Sequence, residues 1–99
     1  MFIILLKFSD NKSKAPEFMQ GHKDWIKRGF DESLFLISGS IKPNMGGCII
    51  AHNTSQEKLQ QYVNEDPFVA RNIVTAQVLV ISANQVDKRL NFLLDKSIK

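Results

Sequence analysis

The chain has 99 residues, 43% hydrophobic and 23% charged, with a formal net charge of +3 and an isoelectric point near 9.2. That length leaves no room for a second core, and the composition is that of an ordinary globular protein. The basic excess does not mark a nucleic-acid surface: acids and bases are interleaved, as in Lys23, Asp24, Lys27, Arg28, Asp31 and Glu32, and the largest basic clusters are the pairs Lys27-Arg28 and Lys88-Arg89.

The chain opens on "FIILLKF" (2–8), an apolar run of strand length. "MFIILLKFSD" lacks the basic flank and cleavage site of a signal peptide. No apolar run in the sequence approaches the roughly 18 residues of a membrane span. A helix is predicted over 16–30. There Phe18, His22, Trp25, Ile26 and Gly29 fall at i, i+4, i+7, i+8 and i+11, one helical face, and Pro16 suits the first turn. Two further strands, "LFLISGSI" (34–41) and "GGCIIAH" (46–52), are separated only by "KPNM" and so form an antiparallel hairpin. Gly46-Gly47 precedes a strand rather than a helix, which makes it a turn or bulge and not a phosphate loop.

A second helix starts in "TSQEKLQQYV", where Thr54 and Glu57 have the spacing of a capping box and Leu59, Tyr62 and Val63 form an apolar stripe. A short turn follows over 66–72: Asp66 caps it and Pro67 takes the first helical position. The fourth strand is "TAQVLVISA" (75–83). The tail over 84–99 is predicted as an amphipathic helix capped by Asn84, with Val86, Leu90, Leu93 and Leu94 on one face.

The order β-α-β-β-α-β is that of a ferredoxin-like α+β fold: a four-stranded antiparallel sheet with both helices on one face. It gives one domain, with a core over 1–83 and a C-terminal extension over 84–99. Ile3-Ile4-Leu5-Leu6, Leu34-Phe35-Leu36-Ile37 and Val78-Leu79-Val80-Ile81 are apolar on both faces of their strands, whereas a sheet with one wet face alternates. Two helices cover one face. The other calls for the sheet of a second copy, giving a homodimer of the dimeric α/β-barrel kind, or for the tail.

His22 lies within the apolar stripe of the first helix. It is either a half-buried histidine bonded to a backbone carbonyl or water, or a partly desolvated imidazole that moves protons near neutral pH. In the second case a carboxylate must orient its other nitrogen, and the turn at Asp66 can approach the first helix in this fold. Glu65 competes for that role but is expected to face solvent. Cys48, the only cysteine, permits no intrachain disulfide and no cysteine metal cluster; in mid-strand it reads as a small buried hydrophobe, in a reducing, cytoplasmic setting. His52 closes a strand in a surface or capping role, and no spacing supports a metal site. Trp25 is a core residue or the floor of a pocket for an aromatic ligand.

"GHKDW" in the first helix, "LISGS" and "GGCII" on the hairpin and "NEDPF" after the second helix resemble the YciI-like (YCII-related) family over residues 1–83. The resemblance implies a ferredoxin-like fold, dimerisation as an α/β barrel similar to that of muconolactone isomerases, and a His–Asp dyad in a pocket. Carried over, the dyad is His22 and Asp66. It implies cofactor-independent acid–base chemistry, of lyase, isomerase or dehalogenase type, on a small cyclic or aromatic molecule. Trp25, Ser38, Gly39, Ser40 and Phe68 are the expected substrate-side residues. The chain departs from the family in having Gly39-Ser40 where Gly-Pro is frequent, and in its longer tail. The rival is a module that binds a small ligand, or only dimerises, without catalysis. Neither reading calls for nucleic acid, membrane, metal or cofactor.

Overall fold

The structure is a computed structural model that describes residues 1–94. Its strands are β1 (Phe2–Phe8), β2 (Phe35–Ile41), β3 (Gly46–Ala51) and β4 (Val74–Val80), paired antiparallel in the order β2-β3-β1-β4. Helices α1 (Ala15–Asp31), α2 (Gln56–Asn64) and α3 (Pro67–Ala70) complete the ferredoxin-like α+β arrangement. Among the described residues, no helix is long and apolar enough to cross a membrane.

Alternation along β1 sorts the sheet into two faces. Phe2, Ile4 and Leu6 are buried with Trp25 of α1, Leu59 and Val63 of α2 and Phe68 of α3. On the opposite face Ile3 stands between Ile50 and Leu79, and Leu5 between Cys48 and Gln77. Both faces of the sheet are therefore apolar, while all three helices lie on one.

Strand β2 does not keep a simple alternation. Phe35 pairs with Ala51, but Ile37 pairs with Ile50, so one extra residue is inserted at Leu36. Such a bulge reverses the facing of everything beyond it. Ile37 is turned away from the helices and is 58% exposed. Ser38 and Ser40, opposite Ile49 and Gly47, are turned toward them. The sequence alternation "FLISGSI" without the bulge would have done the reverse.

Helices α1 and α2 are locked by a reciprocal pair of hydrogen bonds. Trp25 Nε1 donates to the Tyr62 carbonyl at 2.9 Å, and the Tyr62 hydroxyl donates to the Trp25 carbonyl at 2.7 Å. Burial raises the Tyr62 phenol above its ordinary pKa, against the opposing pull of Arg28, which keeps it a donor.

Three boundaries differ from the sequence expectation, the first being β4, which ends at Val80 and not at 83. Helix α2 is capped by Ser55, whose hydroxyl accepts from Lys58 N at 3.1 Å, and not by Thr54 in a capping box. Asn53, at φ 61°, turns the chain so that Ser55 adopts the extended backbone of a cap. The tail, expected as an amphipathic helix from Asn84, is a 3-10 segment over Lys88–Leu93 opened by Asp87, whose carboxylate accepts from Arg89 N at 2.9 Å. Leu90 has non-helical angles (φ −112°, ψ 19°), so the helical stripe is never wound; residues 95–99 of that expected helix lie outside the described residues. Ala83 instead bridges to Leu94, and Leu90 and Leu93 lean over one end of the open sheet face beside Leu36, Ile37, Ile50 and Ile81.

Candidate active site

Asp66 follows α2 and opens α3. Its extended backbone (φ −62°, ψ 124°) makes it the N-cap, Pro67 occupies the first helical position, and its Oδ1 accepts from Phe68 N at 3.0 Å. Unlike a surface cap, it has no exposed area at all. Helix α1 comes close because residue 21 is glycine: a Cβ there would stand 3.0 Å from Pro67 Cγ. One residue further on, His22 Nδ1 lies 2.8 Å from Asp66 Oδ1. An ionised carboxylate only accepts, so the ring nitrogen is the donor and the lone pair of the neutral imidazole is placed on Nε2. Nε2 has no partner among the described residues.

The imidazole is held on a second side by stacking. The Phe68 ring is parallel to it within 3° at 4.0 Å between centroids, and Trp25 lies beyond at 6.0 Å. The short helix α3 thus supplies both the carboxylate and the aromatic platform, two residues apart. The His22 side chain keeps 14% of its surface exposed and Asp66 none, so the carboxylate is screened from solvent behind the ring. Asp66 Oδ2 is buried and finds no hydrogen-bond donor among the described residues.

His22 forms part of the wall of a cavity of about 360 Å³ between α1, α3 and the sheet. Met19 and Ile26 flank it on α1, Phe68 and Val74 close one side, and Leu6 and Phe8 rise from β1. Across from the ring lie Ser38, Gly39 and Ser40 of β2, with Gly46 and Gly47 of β3. Gly47 leaves the cavity room, since a Cβ there would meet only the Gly39 carbonyl oxygen within 4 Å.

Of the residues proposed from sequence, His22, Ser38, Gly39, Ser40 and Phe68 lie together on this cavity, and Asp66 stands directly behind His22. Trp25 does not line it. Its ring is 1% exposed, stacked on Tyr62 and tied through Nε1 to the Tyr62 carbonyl, so it is core beneath the site rather than a floor to it. Glu65 is exposed and 3.7 Å from Arg28 Nη2. Cys48 is half-buried, not buried: its register position opposite Leu5 is on the uncovered sheet face, and the residue also borders the cavity. The His52 ring stands at the tail, 5.5 Å from Phe92. Among the described residues, no group of three or more His, Cys, Asp or Glu side chains is disposed to hold a metal ion. The apolar walls Leu6, Phe8, Met19 and Val74 were not singled out from sequence. Met19 was within reach, because Met19, His22 and Ile26 at i, i+3 and i+7 share one helical stripe.

No protein-family model matches the sequence, and no curated protein sequence does. Among solved structures the chain is similar to 5-chloro-2-hydroxyhydroquinone dehydrochlorinase (TftG) from Burkholderia phenoliruptrix AC1100, in its complex with 2,5-dihydroxybenzoquinone. The TM-score is 0.66 at 13% identity, over 88% of this chain and 100% of that one. A likeness at that identity is one of fold.

Proposed function

We propose that this chain is a cofactor-independent acid–base enzyme of lyase, isomerase or dehalogenase type, acting on a small cyclic or aromatic metabolite through a His22–Asp66 dyad. The observation that carries the reading is the 2.8 Å contact between a fully buried carboxylate and an imidazole that forms a cavity wall. The fold of a dehydrochlorinase supports it, as does the YciI-like resemblance of the sequence motifs. In this mechanism Nε2 of neutral His22 takes a proton from a hydroxyl or activated C–H of the bound ring. Asp66 fixes the tautomer and stabilises the imidazolium as it forms. In an elimination, the electron pair left behind forms the new double bond as a halide or other leaving group departs. In an isomerisation, the imidazolium returns the proton at another carbon. The protein works as a cytoplasmic homodimer through the open sheet face.

The test is turnover of a panel of hydroxylated and halogenated monocyclic compounds by wild type and His22→Ala. A positioned acid–base group contributes about 10²- to 10⁴-fold, so His22→Ala is expected to lower kcat/KM by that factor, beside a stability loss of about 1–3 kcal/mol from the donor taken from buried Asp66. Retained turnover in His22→Ala, or tight binding of a panel member that wild type never converts, removes the enzyme reading. The second outcome leaves a ligand-binding module.

A further inference from the structure

The cavity carries more information than its acid–base group. None of the residues that line it is Lys, Arg, Asp or Glu; those with polar side chains are His22, Ser38 and Ser40, with Cys48 the one thiol. The formal charge nearest the imidazole is Asp66, directly behind it and negative. Lys12 is not among the lining residues; its Nζ lies 4.6 Å from the centroid of the Phe8 ring, a wall residue, in a cation–π contact.

We propose, building on the acid–base reading of His22, that this cavity selects an uncharged ring bearing oxygen substituents and rejects carboxylate or phosphate analogues of the same shape. Ser38 and Ser40 are its specificity-determining residues. An anion entering an apolar cavity gives up hydration worth several kcal/mol and here finds no cation in the wall to replace it, with a carboxylate behind the imidazole opposing it further. A hydroxyl or carbonyl meets no such barrier. The bulge at Leu36 is what makes the serines available: it turns two hydroxyls to the helix side and Ile37 away from it. Both serines are exposed, and neither hydroxyl makes a hydrogen bond among the described residues. Two positions apart on one strand, their backbone positions repeat at about 6.7 Å, on the scale of a substituted six-membered ring. Each hydroxyl both donates and accepts, which suits a phenol and a quinone oxygen alike.

Three probes separate the possibilities: hydroquinone, para-hydroxybenzoate, which replaces one hydroxyl by a carboxylate, and para-dimethoxybenzene, which removes both donors. Their binding to the full chain is followed by calorimetry and by the shift of the His22 ring resonances, at about pH 8, above the ordinary histidine range. Hydroquinone is expected to bind at least ~10-fold more tightly than para-hydroxybenzoate, a gap of about 1.4 kcal/mol. The double variant Ser38→Ala/Ser40→Ala, which touches only exposed side chains, is expected to weaken hydroquinone about 10-fold, one modest hydrogen bond per serine, and to leave para-dimethoxybenzene unchanged. Equal or tighter binding of para-hydroxybenzoate overturns the inference and leaves the acid–base reading standing. Unchanged hydroquinone affinity in the folded double variant removes the serines from recognition. If none of the three probes moves the His22 resonances, the cavity is not a ring site, and both proposals fall.

Discussion

Asp66 carries two hydrogen bonds on one oxygen and none on the other. Oδ1 accepts from Phe68 N and from His22, while Oδ2 is buried without a donor among the described residues. A buried carboxylate oxygen left unpaired costs on the order of 1–3 kcal/mol, so stability alone does not explain this residue. Asp66→Asn makes the point measurable. Asparagine caps a helix about as well as aspartate and keeps an oxygen for Phe68 N, but it cannot hold an imidazolium. The expected outcome is a stability within about 1 kcal/mol of wild type by urea unfolding, with turnover reduced as far as in His22→Ala. A loss of several kcal/mol would instead make the pair a structural strut. The cap was legible from "DPF" alone. The contact with His22 spans 44 positions and no local pattern encodes a partner that far along the chain; only the resemblance to the YciI-like family pointed to the pair.

At the scale of elements, the site exists because α1 and the α3 turn approach more closely than side chains normally permit. Gly21→Ala tests this directly. Alanine in a helix interior gains about 0.5–1 kcal/mol over glycine, yet the added Cβ would stand 3.0 Å from Pro67 Cγ and push the turn that holds Asp66. The two effects oppose each other in stability, and only the displacement of the turn bears on the dyad. Near-neutral stability with a clear fall in kcat is therefore expected, read by thermal unfolding beside steady-state kinetics. An unchanged kcat would show that the dyad tolerates a looser approach. The strands and helices themselves were legible, because their apolar periodicities are strong and their connections short. Two elements were not. The bulge at Leu36 depends on which pairing buries Phe35 against Ala51, a long-range matter. The tail has a helical spacing of leucines, but its apolar side chains reach the sheet from a short 3-10 turn instead, so the periodicity is satisfied without an α-helix.

At the scale of the whole molecule, the sheet is a wall with two apolar faces and a cover on only one. Ile3, Leu5, Ile50 and Leu79 are half-buried on the uncovered face and Ile37 is 58% exposed; the tail shields one end of it. Apolar area returned from water stabilises by about 25 cal/mol per Å², and stable interfaces remove on the order of 1,600 Å² in total, a scale a four-stranded sheet can supply. A second copy laid sheet against sheet satisfies this without any change in the helices. Light scattering at micromolar concentration is expected to give twice the 11.3 kDa chain mass. Ile37→Lys, at a position the lone chain already leaves in water, is expected to return the mass to a single chain, since an unpaired ammonium buried in an apolar interface costs several kcal/mol. Because the cavity and His22 lie on the opposite face of the sheet, that monomer keeps its site: ring binding should persist while thermal stability falls. If wild type is itself monomeric at these concentrations, the apolar outer face needs a different cover.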